Sequence, residues 1–254
     1  MGIFSFEIDA WMAALFLAIL MIIAWQIGWR AGLKKTASGK ASGFNLTDAI
    51  MGLFALLLGF TVSMALSKHD QRRLMMVNDA NCIGDFASTA AMLKPQHRDA
   101  ILRIVKDYVK LLLTQVSNPS DQKLVDQRLE EIAHVHDALL EKVRDAIQEG
   151  TPVTVPLMVT YNGLTSSQVS RLASLRDRLP GSIMLLLVLA ATISTFLQGH
   201  RQGQENILSI IPTLIMILLI SMVVWVILDL NQPNRGLINV SKEPLERLLM
   251  GLGN

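Results

Sequence analysis

The chain has 254 residues, 51% of them hydrophobic and only 17% charged, with a formal net charge of +2. A soluble domain carries about 25% charged residues, so an ordinary soluble fold is a poor fit, and a balance this close to neutral gives no footing for nucleic-acid binding. Cys82 is the only cysteine, which excludes an intrachain disulfide.

The mean hydropathy of +0.41 is concentrated in four uncharged runs, Ala10–Trp29, Ala49–Leu66, Gly181–Leu197 and Ile207–Leu228. Each is about the length that crosses a hydrocarbon core of roughly 30 Å at 1.5 Å per residue. Glu7 and Asp9 stand before the first run, where a cleavable signal peptide carries positive charge. The first run is therefore expected to be a retained span. Trp25, Trp29 and Arg30 at its end read as an interfacial anchor, and a Gly- and Ser-rich loop with Lys34, Lys35 and Lys40 follows.

Span 2 runs into charged sequence at Asp70, Arg72 and Arg73 with no proline before Leu93. The spacing predicts one helix that leaves the bilayer and continues as the first helix of a water-exposed domain. Residues 67–179 hold 15 Lys/Arg and 14 Asp/Glu. A second helix is expected from about Pro95 to Val116 and a third from about Gln122 to Gln148. In the third, Val125, Leu129, Ile132, His136, Leu139, Val143 and Ala146 form a heptad seam. A fourth runs from Leu157 to Arg178, and Pro180 opens the return to the membrane. Pro212 is placed to kink span 4. A turn-rich stretch from Asn231 and a short amphipathic helix, Pro244 to Leu249, close the chain.

The predicted fold is an all-α integral membrane protein. Four transmembrane helices (about 10–29, 49–66, 181–197 and 207–228) flank a helical extramembrane domain inserted between spans 2 and 3. The divisions are 1–66, 67–179, 180–230 and a tail, 231–254. The two short loops hold five Lys/Arg, including Arg201. The positive-inside rule then puts the loops inside and the insert on the extracytoplasmic face.

Two blocks carry a family resemblance. The first is Gly52-Leu-Phe-Ala-Leu-Leu-Leu-Gly-Phe-Thr-Val-Ser-Met-Ala-Leu-Ser67, continued by Lys68-His-Asp-Gln-Arg-Arg73 and Asn78-Asp-Ala-Asn-Cys-Ile-Gly84. The second is Leu228-Asp-Leu-Asn-Gln-Pro-Asn-Arg-Gly-Leu-Ile-Asn-Val-Ser241 with Glu243-Pro-Leu245. With four spans around a helical insert, the chain resembles the bacterial bestrophin-like membrane protein family. The resemblance implies a multi-pass plasma-membrane protein. It also implies kinship with bestrophin anion channels, which are pentamers whose second span lines the pore. The bestrophin pore-neck pattern and acidic calcium clasp find no close match here.

Gly52, Leu56, Gly59, Ser63 and Ser67 recur at steps of three and four on one face of span 2. They read either as a pore wall or as a small-residue packing face. Asp70, Arg72, Arg73, Asp79, Asn81, Arg235 and Gly236 are the pore-mouth or family-motif residues. The arginines either concentrate anions at a mouth or pair with Asp70, Asp79 or lipid phosphate. Asn81 and Asp85 share a helix face from which Asp79 points away. His134 and His136 are two apart, so they point to different faces and do not chelate one metal. His136 reads as a neutral core histidine, with pH sensing as the second reading. No phosphate-binding glycine loop, nucleophile elbow or zinc-protease helix is present, and no charge interrupts the uncharged runs. The expectations are no enzyme, no metal and no cofactor. The partners are the lipid bilayer, further copies of the chain in a homo-oligomer and an anion. Two functions stand: a passive anion-conducting oligomer, or a non-conducting scaffold or sensor whose helical domain binds a protein partner.

Overall fold

A computed structural model describes residues 9–34, 46–114, 122–232 and 238–253. The expected loop at 35–45, the break at 115–121 and the tail turn at 233–237 lie outside the described residues.

Eight helices and no strand occur among the described residues. They are α1 (Ala10–Leu33), α2 (Leu46–Ala90), α3 (Pro95–Leu113), α4 (Gln122–Gln148), α5 (Thr154–Arg176), α6 (Gly181–Gln204), α7 (Ile210–Leu230) and α8 (Glu243–Gly251). Four of them, α1, α2, α6 and α7, are long and apolar enough to cross a membrane.

The helix ends follow local chemistry. At 45 residues α2 is the longest, because no proline stands between Leu46 and Ala90 to remove a backbone donor. The residue before a proline is pushed out of helical geometry. Lys94, before Pro95, is accordingly extended (φ −56°, ψ 146°) and starts α3. Gly150 ends the α4 region in the left-handed region (φ 76°), which a side chain disfavours. Asn206 (φ 53°) closes α6 in a Schellman turn: its N–H donates to the Gly203 carbonyl and that of Ile207 to Gln202. Pro212 sits in the first turn of α7, which starts at Ile210, where its missing N–H removes no helical hydrogen bond.

The chain divides into two compact units. Unit 1 comprises Met1–Lys68 and Arg178–Ile238, and unit 2 comprises His69–Asp177 and Asn239–Asn254. In unit 1, Leu17 and Met21 of α1, Phe54 and Ala65 of α2, Leu187 and Ala191 of α6, and Ile217, Val224 and Ile227 of α7 form the core. The tightest packing is α1 on α6. A Cβ on Gly28 or Gly32 of α1 would strike the backbone carbonyl oxygens of Phe196 and His200, and one on Gly199 or Gly203 of α6 those of Trp25 and Trp29. Lipid gives helices no hydrophobic drive to associate, so such close approach is a main source of adhesion.

In unit 2 the core is built from Ile83 and Phe86 of α2, Val105 and Tyr108 of α3, Leu139 and Val143 of α4, and Leu157 and Leu164 of α5. Leu245 of α8 joins them, fully buried. Each large apolar side chain there contributes about 1.5–3 kcal/mol. The heptad seam of α4 is spent inside this bundle: Ile132, His136, Leu139, Val143 and Ala146 are all buried. Lys242 Nζ donates to the carbonyl of Leu113, the last residue of α3, at 3.0 Å, a cation on orphan helix-end oxygens.

Candidate functional site

The expected site residues other than Arg235 and Gly236 lie on α2, and α2 treats its two sides differently. Phe54, Thr61 and Ala65 are buried, and the Thr61 hydroxyl donates back to the Leu57 carbonyl at 2.8 Å. On the other side Gly52, Leu56, Gly59, Ser63 and Ser67 are all exposed. A Cβ on Gly52 or Gly59 meets nothing within 4 Å. Leu56 is 57% exposed and Phe60 62%. Of the four membrane-length helices, α2 is the least covered along its apolar stretch, at 17% buried. The small-residue face therefore does not pack within one chain, and it carries no charge between Asp48 and Asp70, both exposed.

The charged residues that follow separate. Arg73 is exposed. Arg72 is 3% exposed; its Nη2 donates to the Asp177 carbonyl at 2.8 Å and its Nε to that of Ser174 at 3.3 Å. It thereby ties α2 to the C-terminal end of α5, where helical carbonyls lack partners. Asp79 is buried at 0% and Asn81 is exposed. Asp79 takes a hydrogen bond from Ser167 at 2.7 Å and is ion-paired to Arg171 Nε at 2.7 Å. Asn81 and Asp85 share the exposed face, as their spacing required. Arg235 and Gly236 lie outside the described residues.

Three features escaped the sequence reading. The first is the glycine crossing, whose signal was present in two small-xxx-small pairs, Gly28 with Gly32 and Gly199 with Gly203. The second is a polar thread through unit 1. Trp25 Nε1 donates to Gln202 Oε1 at 3.0 Å, Gln202 Nε2 to Thr213 Oγ1 at 3.0 Å, and Thr213 Oγ1 to the Ser209 carbonyl at 2.8 Å. Trp25 is thus turned inward, unlike the interfacial anchor expected of it, because an indole N–H away from water needs an acceptor. The third is Arg171, the only charge between Thr154 and Leu175, which marks it as a buried partner. The tail block also has structural work. Asp229 is buried and accepts from the Ile238 N–H at 2.9 Å, and Asn231 Oδ1 accepts from that of Leu179 at 2.8 Å.

Among the described residues no group of three or more His, Cys, Asp or Glu side chains is placed to hold a metal ion.

Four membrane-length helices, one of them leaving an uncharged face uncovered, define a multi-helix integral membrane protein. The model of the bestrophin-like domain matches residues 14–245, from α1 into α8, and the chain belongs to the bestrophin-like family. No curated protein and no solved structure matches it.

Proposed function

We propose that the chain assembles as a homo-oligomer in a bacterial plasma membrane and conducts anions passively. In this reading the α2 face of Gly52, Leu56, Gly59, Ser63 and Ser67 turns to the shared axis. The observation that carries it is that open face, where two glycines have no neighbour within 4 Å. Small and hydroxyl side chains let a partly dehydrated ion pass close to the helix, and a wall without charge does not trap it. Arg73 is the arginine placed to concentrate anions at a mouth, since Arg72 is turned inward. Residues 67–179 form the extramembrane domain between spans 2 and 3, on the extracytoplasmic side favoured by the loop charges. Catalysis and cofactors have no part in this reading.

Further copies also explain the outer face of α5. Val155, Val159, Asn162, Ser166, Val169 and Ala173 are exposed at alternating steps of four and three, with no charge among them, the spacing of a helix–helix seam.

The test is halide efflux from proteoliposomes holding the purified oligomer. Gly59→Leu, whose Cβ meets no atom of its own chain within 4 Å, is expected to cut the flux by at least about tenfold. Undiminished flux in a folded Gly59→Leu protein removes α2 from the pathway. The second reading is a non-conducting scaffold or sensor. It is favoured by an open groove of about 1010 Å³ between α2 and α8 in unit 2, lined by Ala80, Gly84, Ser88, Pro244 and Leu248. A protein crosslinked through that groove in native membranes, with no flux from the purified oligomer, selects it.

A further inference from the structure

Unit 2 buries a cluster of polar side chains drawn from each of its four long helices. Asp79 of α2 is held by Ser167 and Arg171 of α5, each at 2.7 Å. Tyr108 of α3 meets the His136 ring of α4 edge-on, with centroids 5.2 Å apart at 84°. The Tyr161 hydroxyl of α5 donates to the His136 carbonyl at 3.3 Å. His136 is 8% exposed, and both its ring nitrogens are buried without a hydrogen-bond partner.

The groups that face the ring fix which form fits. Arg171 faces it from α5 and Asp137 lies on its own helix. Tyr108 of α3 meets it with its ring edge, while Asp79 of α2 and Lys242, next to α8, lie near Arg171. A neutral imidazole sits here against an aromatic edge at modest cost. An imidazolium brings a second cation towards Arg171 and needs acceptors for two N–H groups that have none.

We propose that His136 is an acid-sensitive element of unit 2, whose protonation loosens α4 from α3 and α5. Burial first, with Arg171 adding to it and Asp137 opposing, holds the ring below the ordinary histidine value. Above about pH 6.5 the ring is neutral whether the bundle is closed or open, and the full stability is present. Below that, an opened histidine takes a proton that the buried one refuses, so stability is lost as pH falls. The opening constant rises by up to about tenfold per pH unit across that window. His97 lies 2.9 Å from Glu149, and this hydrogen bond holds the Glu149 carboxyl below its ordinary range. The inference does not depend on conduction, since it is read without flux.

The test is hydrogen–deuterium exchange of the full chain in lipid nanodiscs at about pH 7.5 and about pH 5, corrected for intrinsic rates. Exchange across α4 is expected to rise on the order of tenfold in acid. His136→Phe removes that rise, whereas His97→Asn and His134→Asn keep it. Equal exchange at both pH values in the unmodified protein overturns the proposal, as does a rise that persists in His136→Phe. If that variant does not fold, exchange at the His136 ring C–H titrates the native residue directly. A value near 6.5 there overturns the proposal, and a lower one upholds it.

Discussion

Leucine at Gly199 will unfold or strongly destabilise the membrane unit, and alanine there will do measurable damage. The first atom added at Gly199 meets the carbonyl oxygen of Trp25, and the reciprocal change at Gly28 meets that of Phe196. Both obstacles are main chain, which no rotamer change can move, so α1 and α6 must separate. Overpacking of this kind costs about 1–3 kcal/mol and occasionally more. For a chain of this length that is a melting-temperature loss on the order of 5–10 °C. The separation also strains the hydrogen bond from Trp25 to Gln202. Gly52 and Gly59 supply the contrast. Alanine at either meets no atom within 4 Å and adds up to about 1 kcal/mol of helix preference. Melting curves in detergent will show the loss at Gly28 and Gly199 and none at Gly52 and Gly59. Equal losses at all four refute the idea that the two glycine sets have different jobs.

The second large effect is at Arg171. Replacing it by methionine leaves Asp79 fully buried with Ser167 as its remaining partner. Removing one partner of a buried ion pair costs about 3–5 kcal/mol, because the other charge stays behind uncompensated. Removing both charges together is far cheaper. The double variant Asp79→Leu, Arg171→Met is expected to recover most of the loss, giving a coupling of about 2–3 kcal/mol in a double-mutant cycle. Limited proteolysis across residues 69–177 reads this directly. The singles will be cut quickly and the double slowly. A double variant as labile as the sum of the singles shows that the two side chains are not partners.

These contrasts mark what the sequence could express. The spans were legible because charge is absent from them, and the unbroken α2 because proline is. The helices of unit 2 were legible to within a few residues, since apolar positions on α3 and α4 recur with helical period. The exposed character of Gly52, Gly59 and Ser63 was not legible. A small-residue stripe reads the same whether it packs or lies open, and the same stripe on α1 and α6 turns out to be the packed one. Arg72 and Asp79 look alike as charges beyond a span. Arg72 goes to the carbonyls of Ser174 and Asp177 and Asp79 to Arg171, about a hundred residues on in the chain, which no local pattern encodes. Trp25 misled because an indole near a span end suits a membrane interface as well as a buried acceptor.

The central claim is that the open face of α2 borders the ion pathway in the assembled protein. Halide flux through a Ser63→Cys variant in a Cys82→Ala background, before and after a small hydrophilic thiol reagent, tests it most directly. The account predicts that modification at Ser63 lowers flux by about tenfold or more, and that Thr61→Cys, on the buried side of the same helix, does not respond. Flux that ignores modification at Ser63, or falls equally at Thr61, contradicts it.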